Sequence, residues 1–270
     1  RENLGLNQPI FIQYFHWLKA LLQGNLGYSY ITGEPVSQII MARIGPTLML
    51  SFTSFCIIIT VTFFLGLYSG YRAFSLTDHW IMIISFIGLS MPTFWIGLIL
   101  ILIMAETLQW FPSSGFLAPT LSNAPMWIKL QNILHHMSLP LITIVIGGIA
   151  GLTRYHRYGI ISIMNQPYIH AARARGLSEW TILFKHACKN ALLPMITILG
   201  LQLPGLISGS FIIEYIFAWP GMGQLGVNAI FSRDYPVLMA TIFFSSVLII
   251  LGNVIADVLY SIVDPRIRHA

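Results

Sequence analysis

A membrane-spanning helix needs about 20 mostly apolar residues, and five stretches of this 270-residue chain supply them. They run from Pro46 to Tyr71, Trp80 to Leu108, Ser138 to Tyr158, Ala191 to Ile213 and Val237 to Ile262. The third is the weakest, because Arg154 and Arg157 interrupt its end. Only 9% of the residues are charged and 56% are hydrophobic, whereas a soluble domain carries roughly 25% charged residues. Such a chain cannot cover a water-facing surface, so the sequence predicts an all-α polytopic membrane protein. The net charge of +5 then belongs to loops rich in Lys and Arg rather than to a nucleic-acid surface. The two cysteines, Cys56 and Cys188, lie far apart, one in an apolar run and one in a basic segment, and no disulfide is expected.

The basic residues also predict orientation. One set of loops holds Arg72, Arg154, Arg157, Arg173, Arg175, Lys185, Lys189, Arg266 and Arg268. The other holds Arg1, Lys19, Arg43, Lys129 and Arg233, a ratio of nine to five. The first set is expected in the cytoplasm, together with the C-terminus. Five spans then put residue 1 outside, and a further N-terminal span is expected to precede it. Residues 1–45 are expected to be an extracytoplasmic segment, with an amphipathic interfacial helix over 9–23 (Ile10, Tyr14, Trp17, Leu18 and Leu21 at helical spacing). Residues 46–270 form the transmembrane domain. A Gly/Pro/Ser-rich loop near 111–125 and a loop over 214–236 are expected on the outer side.

Several chemistries lack their residues. No Lys follows a Gly, so the chain has no GxxxxGK[ST] phosphate loop, and it has neither HExxH nor CxxC. His135 and His136 are adjacent and point to different helix faces, a poor chelate. Ser113 and Ser114 have no His or Asp partner placed by the sequence. No catalytic and no metal-ligating residues are therefore assigned, and no cofactor is expected in this chain. Glu106 and Asp257, near span ends, are the charged candidates for a transport role. Ser90, Met91, Pro92, Gln202 and Ser208 are candidate pathway residues, since proline within a span frees a backbone carbonyl.

One polar island breaks the apolar pattern: residues 168–194, YIHAARARGLSEWTILFKHACKNALLP. Ala171, Ala172 and Ala174 favour a helix, Gly176 favours its stop, and Ser178 reads as the N-cap of a second helix beginning at Glu179. A short helix rich in Ala presents a flat face that can seat in a groove on another protein. A basic linker held by anionic lipid fits the composition equally well.

HAARARG followed by NALLP resembles the EAA loop of permease subunits of ABC importers, the segment that docks on the ATPase. The distance from Gly176 to Pro194 resembles that of the peptide/nickel permease family. GLNQPIFIQYFHWLKALLQGNLGYSYITGEPV, SMPTFWIGLIL, IIEYIFAWPGMGQL, RDYPV and the terminal DPRIR resemble further segments of that family, in order along nearly the whole chain. The motif's leading Glu is His170 here, so an acidic contact to the ATPase does not carry over. Ala171, Ala172 and Gly176 match the motif.

The resemblance implies a type I ABC importer permease fold, with five transmembrane helices in this chain and a sixth, N-terminal one missing. It implies a second homologous permease subunit, two cytoplasmic ABC ATPases that bind ATP and Mg, and an extracytoplasmic solute-binding protein. Membrane lipid completes the surroundings, which would be the bacterial cytoplasmic (inner) membrane. ATPase coupling would fall to Ala171, Ala172, Arg173, Ala174, Arg175, Gly176 and Leu177. The cargo is expected to be di- or oligopeptides, or else nickel or a nickel chelate. A rival reading is a secondary transporter or channel with a basic lipid-binding loop. It would need coupling-ion ligands near the midplane and an internal repeat, and neither is visible.

Overall fold

The computed structural model describes residues 9–188, 190 and 211–263. Helix α1 (Ile10–Leu22) matches the expected amphipathic segment and buries none of its residues. An irregular stretch with a Tyr28–Pro35 bridge leads to α2 (Val36–Tyr71). Because α2 starts at Val36, the boundary expected at 45/46 falls inside a helix. Then come α3 (Leu76–Ser90), α4 (Thr93–Leu100) running on as a π-helix (Ile101–Thr107), and the long α5 (Met126–Met164). The island follows as α6 (Pro167–Ala174) and α7 (Glu179–Thr181), the latter continuing as a π-helix over Ile182–Cys188. The last elements are α8 (Phe211–Ile216), α9 (Met222–Ser232) and α10 (Tyr235–Val263).

Among the described residues, three helices are long and apolar enough to cross a membrane: Val36–Tyr71, Met126–Met164 and Tyr235–Val258. A bent pair, Leu76–Ser90 with Thr93–Thr107, can count as a fourth. The span expected over 80–108 is therefore not one straight helix. Its two limbs meet at 101°, around Met91 in extended backbone and Pro92, which caps α4. Proline disfavours helical backbone in the residue before it, which explains the break. At 1.5 Å per residue each limb is about 22 Å long, short of the roughly 30 Å hydrocarbon core. Neither limb crosses alone. Residues 191–210, most of the span expected over 191–213, lie outside the described residues, as do 264–270.

The third span does not fade at Tyr158. It continues as helix to Met164, and Arg157 is buried within it. Glycines on α2 set how closely α5 approaches: a Cβ at Gly70 would lie 2.6 Å from Ile160 Cβ, and one at Gly66 would lie 2.7 Å from the His156 ring. Small residues at helix interfaces permit this approach. Arg154 lies over the Phe86 ring, 4.3 Å from its centroid. Arg157 is thus buried in the helix bundle and Arg154 half-buried within α5, although both were assigned to an inner loop.

Candidate functional site: the basic island and the Glu214 turn

The island is a built unit. Pro167 opens α6 at its first turn, where its missing N–H costs nothing. The helix ends in a Schellman motif: Gly176 N–H donates to Arg173 O (2.9 Å) and Leu177 N–H to Ala172 O (3.3 Å). Gly176 takes φ +78°, the left-handed conformation that glycine adopts without steric penalty. Ser178 then caps α7, its Oγ accepting from Thr181 N–H (3.3 Å). Stop and start both occur where the sequence predicts them.

An ion pair straddles this turn. Arg173 Nε and one terminal nitrogen donate to the two carboxylate oxygens of Glu179 at 2.8 and 3.1 Å. The guanidinium holds the Glu179 carboxyl below its ordinary range. Asn190 Nδ2 donates to the Tyr168 hydroxyl (2.9 Å), closing the island's far end.

The inner face of the island is apolar. Ile169, Ala172 and Ile182 are buried together against Met164 at the end of α5. Leu183, Ala187 and Cys188 pack on Leu67 of α2 and Ile160 of α5, and burial pushes the Cys188 thiol up. The island is thus seated on the ends of two long helices. Ala172, grouped from sequence with the residues that meet a partner, is 1% exposed and belongs to this inner core. Ala171, Arg173, Ala174, Arg175, Gly176 and Leu177 are exposed. The flat outward face is therefore formed by Ala171 and Ala174, three residues apart on one side of α6. His170, in place of the motif's Glu, is also exposed.

Of the candidate pathway residues, Ser90, Met91 and Pro92 come together at the 101° break, and Ser90 Oγ donates to Phe86 O (2.8 Å). Gln202 and Ser208 lie outside the described residues. Glu106 and Asp257 are both exposed on the isolated chain. His135 accompanies the carbonyl of Trp110 (2.9 Å) and His136 that of Asn132 (2.9 Å), so the two rings serve different backbone sites. Among the described residues, no group of three or more His, Cys, Asp or Glu could hold a metal ion.

The segment expected as an outer loop, 214–236, is instead largely helical and deeply packed. Trp219, Phe217, Glu214 and Met222 are each at most 1% exposed. Thr47 Oγ1 donates to Glu214 Oε1 (2.8 Å) and accepts from Met222 N–H (2.8 Å). Gly223 N–H donates to Glu214 Oε2 (2.6 Å). Trp219 Nε1–H donates to the Pro46 carbonyl (2.9 Å). The glycines of WPGMG follow from this packing: a side chain at Gly221 would collide with the Glu214 carboxyl and Thr47 Oγ1, and one at Gly223 with the Phe211 backbone. The aromatic residues bounded by glycines were the available sequence signal for a packed turn.

Comparison with known proteins agrees with this architecture. The family described as "Binding-protein-dependent transport system inner membrane component" matches residues 62–269. The chain is similar to the oligopeptide transport system permease protein AppB of Bacillus subtilis (strain 168), with 45% identity over 269 residues, 99% of this chain and 84% of that protein. It is 38% identical to a putative peptide transport system permease protein of Brucella abortus (strain 2308), covering 100% of this chain and 83% of that one. The fold is similar to that in inward-facing structures of the MetNI methionine ABC transporter. The TM-score is 0.66 at 16% identity, covering 86% of this chain and 99% of that one. The chain has the type I ABC importer permease fold, and it belongs to the family of binding-protein-dependent transport system inner membrane components.

Proposed function

We propose that this permease subunit imports short peptides by alternating access, with ATP hydrolysis carried out by partner subunits. The observation that carries the reading is the 45% identity, along 99% of the chain, to a protein described as an oligopeptide permease. In this reading the island and the C-terminus are cytoplasmic. ATP and Mg bind two ABC ATPases, a second homologous permease completes the pathway, and an extracytoplasmic solute-binding protein delivers cargo.

The island couples the ATPases to the spans. Support comes from its seating: Ile169, Ala172 and Ile182 fasten it to α5, and Leu183 and Ala187 fasten it to α2 and α5. A push on the exposed face of Ala171 and Ala174 reaches two membrane helices through close-packed contacts, which transmit displacement rather than absorb it. Ser90, Met91 and Pro92 belong to the pathway at the break between α3 and α4.

Growth tests the cargo. Deletion of the gene is expected to confer resistance to toxic di- or oligopeptides and to leave urease or hydrogenase activity unchanged in metal-poor medium. A fall in those activities that added nickel restores, with peptide sensitivity intact, would replace peptide by nickel.

A further inference from the structure

Glu214 is fully buried, and among the described residues no cation lies within ion-pair distance of it. A buried carboxylate is costly unless its oxygens are satisfied. Here satisfaction comes from the start of α9: the Gly223 N–H donates at 2.6 Å, and the helix N-terminus supplies a positive field. The remaining donor, Thr47 Oγ1, belongs to α2. One carboxylate therefore ties three segments together: α8, which carries it, the first turn of α9, and α2.

The tie lies at a weak point of α2. Thr47 follows Pro46, which cannot donate in the helix ladder, so α2 bends most easily there. It also encloses a strained turn. Ala218 holds φ +47°, a left-handed conformation that costs an alanine free energy and persists only where its surroundings over-determine it. On either side of Ala218, Phe217 packs beside Gly97 of α4 and with Leu139 of α5. Trp219 packs with Leu50 of α2 and Met137 of α5. The turn is wedged between three helices of the membrane domain, and α4 is the helix that begins at the Pro92 break.

We infer that Glu214 is a positioning residue for transport, latching the strained 217–221 turn against α2 in one state of the alternating-access cycle and releasing it in another. Packed cores and interfaces switch between discrete arrangements rather than deforming continuously, and this turn is packed between three helices. The inference rests on the importer reading. It adds that coupling depends on this latch as well as on the island.

The test uses the assembled importer in lipid nanodiscs, with its ATPases and binding protein. Glu214→Gln and Thr47→Val are expected to raise solute-independent ATP hydrolysis per assembled complex by about tenfold, the scale of one charge-assisted hydrogen bond. Amide hydrogen exchange across 211–232 should accelerate by a similar factor, while Thr47→Ser, which keeps the hydroxyl, should behave as the unmodified protein. Unchanged hydrolysis in both variants would overturn the latch. So would lost activity that merely tracks lost folded protein, because that is a structural role alone. The exchange measurement needs no cargo. If the unmodified complex takes up no peptide, the peptide reading fails and the latch still stands or falls on solute-independent hydrolysis and exchange.

Discussion

Arg157 and Asp78 form a two-point ion pair across the interior of the bundle. Nε and one terminal nitrogen of Arg157 donate to the two carboxylate oxygens of Asp78 at 2.7 and 2.6 Å. Ser69 Oγ donates to the same carboxylate, as does the backbone N–H of Phe74 (2.7 Å). Phe74 itself sits at φ +67°, so the pair also fixes the tight connection between α2 and α3. With side-chain exposures of 8% and 1%, neither charge has water to fall back on.

Removing one partner of such a pair leaves an uncompensated buried charge, which costs about 3–5 kcal/mol. Asp78→Ala and Arg157→Ala are each expected to lower the fraction of folded, detergent-stable permease severely. The double change Asp78→Leu with Arg157→Met should recover most of it, since a well-packed apolar pair replaces both charges. Thermal unfolding of the purified subunit reads the difference. A single variant that melts with the unmodified protein would remove the structural role assigned to the pair.

Exposed positions test the orientation. Asn25, after α1, and Ser178, in the island, are both exposed. A cysteine at Asn25 is expected to react with a membrane-impermeant thiol reagent in wall-permeabilised cells, and one at Ser178 only after lysis. The reverse pattern would invert the topology. Asn228, exposed on α9, should label with Asn25.

The Gly176 turn and the Arg173–Glu179 pair should separate in magnitude. Gly176→Val forces a β-branched residue into φ +78°, at a cost of roughly 1–2 kcal/mol. Beyond its chain neighbours, no atom lies within 4 Å of the added Cβ, so the penalty is conformational and Gly176→Asn should recover part of it. Arg173→Gln breaks an ion pair whose side chains are 38% and 45% exposed. Screened surface pairs contribute about 0.2–1 kcal/mol, so island stability should barely change. Hydrogen exchange at the Leu177 amide, bonded to Ala172 O, measures both. Equal effects of the two variants would contradict this ranking.

Sequence reasoning succeeded where the physics is local. Gly176 needs a left-handed backbone and Ser178 needs only the next turn of its own helix, so both termini were legible in short strings of residues. The apolar runs located α2, α5 and α10 for the same reason. It failed where the partner is distant. Arg157 looked like an interruption of a span because Asp78, 79 positions away, carries no signal that it will meet Arg157. Glu214 looked like a loop residue because its partner Thr47 is 167 positions away. The break at Pro92 was within reach, since proline restricts the residue before it, but hydropathy runs straight through Met91 and concealed it. The inward assignment of Ala172 was not legible because a run of alanines does not say which of them faces inward.

That last assignment gives the sharpest test of the island. Ala171 and Ala174 are exposed while Ala172 is 1% exposed and packed with Ile169 and Ile182. Ala172→Asp therefore places a charge inside the island's own core, where burying an unpaired charge costs several kcal/mol. The expected result is loss of folded island and reduced permease in the membrane, with ATPase association falling only because the docking unit is gone. Ala171→Asp and Ala174→Asp put the same charge on the outer face, where water solvates it in the free subunit. They should leave permease level and melting unchanged, and reduce copurified ATPase at least about tenfold, equivalent to about 1.4 kcal/mol of association. The deciding quantities are permease inserted, its melting temperature and ATPase recovered per permease. Normal ATPase recovery and transport in both Ala171→Asp and Ala174→Asp would mean that the outer face of α6 is not the docking face.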